Sequence, residues 1–156
     1  MENDIDYKYE PDMSPIALSK EDVTRTPEKL ESDNTDQISA ALAMAQGEYA
    51  DIDANKKSYV GTYADHYTIV KSVRPALVKN KLCVTQQIKW INNHMVFSTK
   101  LRHASGQWIE SQIPILQKFV PTNEKNKSPL QNFGSTLAYL ERYAFRILLN
   151  VAYDRD

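Results

Sequence analysis

The stretch LCVTQQIKWINNHMVFSTKLRHASGQWIESQIP (82–114) decides the fold, because it predicts three consecutive β-strands. Side chains alternate in character over 82–90 and again over 95–103, which is the two-residue period of strands with two unlike faces. Asn92-Asn93 predicts a tight turn between these two strands, since asparagine tolerates a positive φ.

A second turn at 104–107 leads into a third strand, which runs from Trp108 to about Ile113. Pro114 ends this strand, because proline lacks the backbone N–H that a sheet interior needs and is confined to strand ends and edges. The whole stretch therefore predicts a three-stranded antiparallel meander.

Helices are predicted before and after the meander. The first begins at Asn34 or Thr35 and runs to about residue 49, and the second covers about 67–78, with Pro75 either kinking or breaking it. Ser128-Pro129-Leu130-Gln131 is typical of a capping box with proline at the first helical position, and the last helix runs from there to about residue 151. The prediction is an α+β fold of order ααβββα, with a three-stranded sheet packed against helices.

The periodicity also predicts which side chains are buried. The last helix has a core stripe of Leu137, Leu140, Ala144, Ile147, Leu148 and Val151, and opposite it a polar stripe of Asn132, Ser135, Tyr139, Arg142 and Arg146. Cys83 lies within an apolar strand and is expected to be buried and inert. Residues 50–65 and 117–127 are expected to form loops, and Gly61 is suited to a special backbone angle in the first of them.

Charge divides the chain into two parts. Residues 1–53 hold 14 acidic and 4 basic side chains, a net charge of −10, whereas residues 54–156 hold 6 acidic and 15 basic ones, a net charge of +9. The acidic segment 1–33 lacks an apolar period, which predicts a flexible or loosely docked arm before a single domain over 34–156. A positive domain attracts a polyanion; the alternative is that the charges only solvate the surface.

Several protein classes find no support in the sequence. No apolar run has the length of a membrane span, the acidic start is unlike a signal peptide, and a single cysteine suits a reducing compartment, so we expect a cytoplasmic protein. The four glycines form no phosphate-binding loop, and the three histidines and the cysteine lack metal-ligand spacing. We therefore expect no nucleotide, metal or other cofactor.

Basic residues interleaved with aromatic residues predict a nucleic-acid interface. Lysine and arginine bind phosphates whatever the base, and aromatic rings stack on any base, so the combination suits single-stranded DNA. The candidate residues are Lys56, Lys57, Tyr59, Tyr63, Lys71, Arg74, Lys100, Arg102, Ser135, Tyr139, Arg142 and Arg146. Solvated helix faces or subunit contacts would explain the same residues, and Trp90, Trp108, Tyr143 and Phe145 are expected in the core or at a subunit interface.

Four segments resemble the essential recombination function (ERF) family of phage proteins in order and in detail. They are ALAMAQGEY (41–49), TYADHYTIVKSVRPALVKNKLCVTQ (62–86), LRHASGQWIES (101–111) and QNFGSTLAYLERYAFRILLNV (131–151). The last two are the specific ones, because generic α+β domains do not combine a Leu-polar-His-x-Ser-Gly-x-Trp strand pair with a Gly-Ser-x-x-x-Tyr-x-x-Arg-Tyr helix.

The resemblance implies a β-β-β-α core and a non-enzymatic protein that anneals complementary DNA strands without ATP during phage recombination. It also implies a ring or helical homo-oligomer with a basic groove, acting in the host bacterial cytoplasm, with a phage exonuclease or a host single-strand-binding protein as further partners. The residues implied by position are Arg102 and His103 in the strand motif, and Gly134, Ser135, Tyr139, Arg142 and Tyr143 in the helix motif.

Glu141 departs from the family pattern, since members often carry a second basic residue directly before the motif arginine. Other functions stand beside annealing: a single-strand-binding protector, a scaffold that binds only protein, and a metal-dependent nuclease using Asp154, Asp156 and Glu110.

Overall fold

The computed structural model of the protein describes residues 29–53, 55–58, 61–116 and 128–152. Its helices are α1 (Asp36–Gln46), α2 (His66–Lys79) and α3 (Pro129–Leu149), and its strands are β1 (Lys56–Ser58), β2 (Gly61–Tyr63), β3 (Leu82–Ile91), β4 (His94–His103) and β5 (Trp108–Pro114). Strands β3, β4 and β5 form one antiparallel sheet in that order, and β1 and β2 form a separate hairpin. The predicted α+β fold and its ααβββα order are confirmed.

The turns of the meander form where the sequence tolerates a left-handed backbone. Asn92 and Asn93 have φ values of 49° and 63°, which gives the two-residue turn that suits the twist of paired strands. The second turn contains Gly106 at φ 90°. The two turns set the register of the strands, and the pairing continues without a bulge along β3–β4 and β4–β5. This register decides which side chains meet across the sheet.

The core lies between one face of the sheet and the three helices. Leu82 of β3 and Leu101 of β4 pack there against Ile38, Ile69 and Leu149 of the helices, and all five are buried. Burying a leucine or isoleucine side chain stabilises the fold by about 2 kcal/mol. Alternation along the strands then turns the opposite residues, including Cys83, away from the helices. Cys83 is therefore exposed, and the prediction that it is buried is wrong.

Helix α2 continues through Pro75 to Lys79, so the helix neither ends nor restarts at the proline. The proline costs the helix one backbone hydrogen bond, to the carbonyl of Lys71. Its ring lies on the exposed side, where water can satisfy that carbonyl. The N-terminus is capped by Asp65, whose carboxylate accepts the backbone N–H of Thr68 across 2.9 Å.

Helix α3 begins with the predicted capping box: the Ser128 hydroxyl accepts the Gln131 N–H, and the Gln131 side chain accepts the Ser128 N–H. Its buried side runs in four-residue steps, through Asn132, Thr136, Leu140 and Ala144. A row of residues four apart is inclined to the helix axis, whereas the predicted stripes were taken to run parallel to it. Two of the burial predictions for this helix are therefore wrong. Asn132 is 3% exposed although a polar stripe was expected, and Ile147 is 66% exposed although it was placed in the core.

Other segments also differ from the expectations. Residues 56–63 were expected to lie in a loop but contain the β1–β2 hairpin, whose three-residue strands are too short to show an alternating pattern. Trp90 is 70% exposed and does not belong to the core, whereas Phe145 does. The basic loop at 117–127 and the arm up to residue 28 lie outside the described residues. The end of the arm, residues 30–32, hydrogen-bonds along the outer edge of β5.

Candidate nucleic-acid interface

Arg142 of α3 is surrounded by tyrosine rings. Its guanidinium carbon lies 4.4 Å from the centroid of the Tyr63 ring, on the β1–β2 hairpin. The same carbon lies 5.1 Å from the ring of Tyr143 and 5.8 Å from that of Tyr139, both on α3. These distances are within the range of cation–π attraction, which holds the guanidinium in place.

Tyr139 and Tyr143 lie one turn apart on α3 and stack on each other, with centroids 4.1 Å apart and an interplanar angle of 24°. Arg146, one turn after Arg142, has its guanidinium carbon 5.7 Å from the Tyr143 ring. Tyr139 is 54% exposed, so part of its side chain faces solvent. We call Tyr63, Tyr139, Arg142, Tyr143 and Arg146 the tyrosine–arginine cluster.

The hairpin is held over α3 by side chains at the start of α2. The Asn55 amide donates to the Thr68 hydroxyl across 2.8 Å, and its oxygen accepts the Asp65 N–H across 3.0 Å. Lys56, which lies opposite Tyr63 in the hairpin, has its Nζ 3.8 Å from the Asp65 carboxylate. The hydrogen bonds from Thr68 keep the pKa of Asp65 below its usual value, so this carboxylate stays charged.

A second contact joins α2 to α3 beside the cluster. His66 Nε2 lies 3.6 Å from the Glu141 carboxylate, and the His66 ring meets Phe145 edge to face at 5.4 Å. Glu141, which stands where the family pattern often has a base, therefore lies next to histidine rather than projecting alone beside Arg142. The contact fixes α3 relative to the helix that carries the hairpin.

A model of the ERF superfamily matches residues 38–156, which is most of this 156-residue chain and includes every element of the cluster. The chain belongs to the ERF superfamily. No curated protein and no solved structure matches it in searches by similarity.

Two further candidate cations of this ERF-superfamily protein lie on α2. Lys71 and Arg74 are exposed, and Tyr67, which is 72% exposed, precedes them by four and seven residues on the same side of the helix. Tyr67 was not among the residues predicted from the sequence. The signal that could have found it is an aromatic residue spaced so that it shares one helix face with Lys71 and Arg74. Tyr143 was assigned to the core or an interface from the pattern, and only the family resemblance pointed to it, although it follows Tyr139 by one turn of the helix.

Lys100 and Arg102 lie on the opposite face of the sheet from α3, so the structure does not bring them to the tyrosine–arginine cluster. Lys100 is also engaged: its Nζ lies 2.7 Å from the Glu110 carboxylate and 3.9 Å from the centroid of the Trp108 ring. Its side chain is 15% exposed, so a phosphate would have to displace the carboxylate to reach it. Arg102 is exposed.

Glu110 is buried on this far face with its side chain 2% exposed. Burial raises its pKa, but hydrogen bonds from Lys100, Lys89, Ser98 and Gln112 outweigh the burial and lower the pKa to about 2. Because these donors already surround the carboxylate, Glu110 is not free to bind a metal ion as the nuclease alternative requires. In the described ranges no group of three or more His, Cys, Asp or Glu side chains could hold a metal ion.

The remaining candidates are scattered. Ser135 lies on α3 one turn before Tyr139 and donates its hydroxyl hydrogen to the Gln131 carbonyl. His103 ends β4 with its Nδ1 2.8 Å from the Ser105 hydroxyl, and Lys57 projects from the side of the hairpin opposite Lys56 and Tyr63. Tyr59, Asp154 and Asp156 lie outside the described residues. None of the described helices has the length and apolar character to cross a membrane.

Proposed function

We propose that this ERF-superfamily protein binds single-stranded DNA at the tyrosine–arginine cluster and anneals complementary strands without ATP during phage recombination. The observation that carries the proposal is the position of Arg142 among Tyr63, Tyr139 and Tyr143. Membership of the family supports the reaction, and the cluster supplies residues able to perform it.

The chemistry of the cluster suits a strand of any sequence. A guanidinium donates several hydrogen bonds in one plane and matches the oxygens of a phosphate, while tyrosine rings offer flat surfaces to the bases. Contacts of the rings hold Arg142 in place before DNA arrives, which lowers the entropic cost of binding. Neither kind of contact uses the pairing edges of the bases, so a bound strand can still pair with its complement.

One cluster binds a few nucleotides. Repetition of the cluster in a ring or helical homo-oligomer gives high affinity for a long strand. Linked weak sites bind far more tightly together than separately, because later contacts form at a high effective concentration. The net charge of +9 on residues 54–156 draws the strand to such an assembly. A phage exonuclease or a host single-strand-binding protein would supply the strands in the host cytoplasm.

Salt dependence tests the phosphate contacts. Neutralised phosphates release counterions, so for about four phosphates on a single strand we expect about fifty-fold weaker binding at 200 mM than at 50 mM salt. Fluorescence anisotropy with a labelled oligothymidine measures this directly. Equal affinity at the two salt concentrations would contradict binding through Arg142 and its neighbours.

Annealing separates the proposal from simple protection of single strands. We expect the protein, with no nucleotide or metal added, to shorten the half-time of pairing of two complementary oligonucleotides at nanomolar concentration. A labelled donor and acceptor on the two strands report pairing in a stopped-flow instrument. Slower pairing than without protein would identify a protector, and strand cleavage in the presence of magnesium would identify a nuclease.

A further inference from the structure

The outer edge of β3 carries backbone groups that pair with no other strand in the described part of the chain. The Ile115 N–H donates to the Met95 carbonyl across 2.8 Å. The odd-numbered residues of β4 therefore point their backbone N–H and C=O groups toward β5. Even-numbered residues of β4 therefore bond to β3, where their register partners are odd-numbered. The even-numbered residues of 82–90 consequently point their N–H and C=O groups outward, and no described residue hydrogen-bonds to them.

This edge lacks the features that usually keep exposed strands from pairing. It is ten residues long, contains no proline and keeps an unbroken register with β4. Its one charged side chain, that of Lys89, is bound to Glu110 across 2.5 Å on the far face. The opposite edge of the sheet is covered, since residues 30–32 exchange hydrogen bonds with the backbone of β5.

Apolar side chains lie exposed along the same edge. Ile88 is 42% and Trp90 70% exposed, and both point to the helix side of the sheet. Between β3 and α3 lies an open groove of about 400 Å³, whose lining includes Gln86, Ile88, Leu137 and Gly134. A Cβ atom at Gly134 would meet no heavy atom within 4 Å, so packing inside the subunit does not require a glycine there.

We propose that β3 of a second copy of this chain pairs antiparallel with this edge and forms a two-fold contact between two subunits, beside which a ring or helical homo-oligomer uses a separate head-to-tail contact. The inference rests on the proposed function in one respect, because both require copies of this chain to associate with each other. Among the described residues, another β3 is the one open edge of matching length, because β1 and β2 have three residues each. Self-pairing also brings no like charges together, since the even-numbered side chains are uncharged and Lys89 is neutralised.

One register covers both exposed apolar residues. With Ile88 opposite the Ile88 of the second copy, two-fold symmetry places Trp90 opposite Gln86 of the second copy. Gln86 lines the groove in front of Gly134, so each indole enters the groove of the other copy. Large aromatic side chains in such central pockets contribute most of the binding energy of an interface.

Ile88→Pro tests the pairing, because it removes an outward N–H and leaves the bonds from β3 to β4 intact. Because the contact is two-fold symmetric, the variant loses one hydrogen bond from each copy, two in all. We therefore expect the dissociation constant of self-association to rise at least about tenfold. Ile88→Val keeps the N–H and is the matched control, with a change of about threefold or less. Analytical ultracentrifugation measures both, and Trp90→Ser, at an exposed position, decides the matter if the proline variant fails to fold.

Hydrogen exchange gives an independent reading. We expect the amides of Gln86, Ile88 and Trp90 to become protected as the wild-type concentration rises. Rapid exchange in the assembled protein, or protection that does not depend on concentration, would overturn the contact, as would unchanged association of Ile88→Pro and Trp90→Ser. A wild-type protein that assembles through this edge but ignores DNA would overturn the proposed function and leave the contact standing.

Discussion

Arg142→Ala weakens binding of single-stranded DNA by at least about tenfold, corresponding to about 1.4 kcal/mol, and does so for every sequence alike. The variant removes the cation that three tyrosine rings surround, so it loses both the phosphate contact and the group that orders the rings. Because an assembly repeats the loss in each subunit, long strands should be affected more than short ones. Anisotropy with oligothymidines of two lengths measures the effect.

Two control variants separate this role from charge alone. Lys79→Ala also removes one positive charge, but at the far end of α2, about 20 Å along the helix from His66, where Lys79 is exposed and pairs with Glu48. We expect its affinity to stay within about twofold of wild type. Arg142→Lys keeps the charge without the planar guanidinium and should fall between the two. Equal losses in Arg142→Ala and Lys79→Ala would contradict a specific role for the cluster.

Glu110→Ala lowers the free energy of unfolding by about 3 kcal/mol at pH 7, because it leaves two lysines that surrounded a buried carboxylate without their acceptor. Lys89 and Lys100 are 24% and 15% exposed at the side chain, so neither reaches water freely. Urea unfolding followed by circular dichroism measures the loss. DNA affinity under conditions where the variant is folded should stay near that of wild type, since Glu110 lies on the far face of the sheet.

The same carboxylate makes the wild type sensitive to acid. The pKa of Glu110 is about 2 in the folded protein against an ordinary value of 4.5, so its contribution is complete above pH 4.5 and is lost as the pH falls toward 2. A shift of this size corresponds to about 3 kcal/mol. Glu110→Gln should therefore lose less stability than wild type between pH 5 and about pH 2. Parallel acid curves for the two proteins would contradict the assignment.

The meander was predictable because its signals are local. Asn92-Asn93 and Gly106 mark the two turns, and a fixed turn sets the register of long alternating strands. The start of α3 was equally predictable from the sequence, since its capping box lies within four consecutive residues. The β1–β2 hairpin was not, because its stability comes from Asn55 and the start of α2 rather than from its own pattern.

The candidate site was predicted in composition but not in geometry. The sequence indicated Tyr63, Tyr139 and Arg142 separately, yet Tyr63 and Arg142 are 79 positions apart, and only the packing of the hairpin brings them together. Lys100 shows the opposite case, because alternation placed it correctly on the sheet while its neutralisation by Glu110 depends on the register of β4 with β5. Local patterns therefore gave the residue types, and tertiary contacts decided which cations remain available.

Photo-cross-linking tests the central claim most directly. Oligothymidine bound to the wild-type protein is irradiated, and the cross-linked residues are identified by mass spectrometry of the digested complex. The cluster predicts cross-links at Tyr63, Tyr139 or Tyr143, and their loss in Arg142→Ala at concentrations where wild type is saturated. Cross-links confined to Trp108 and its neighbours on the far face of the sheet would contradict it.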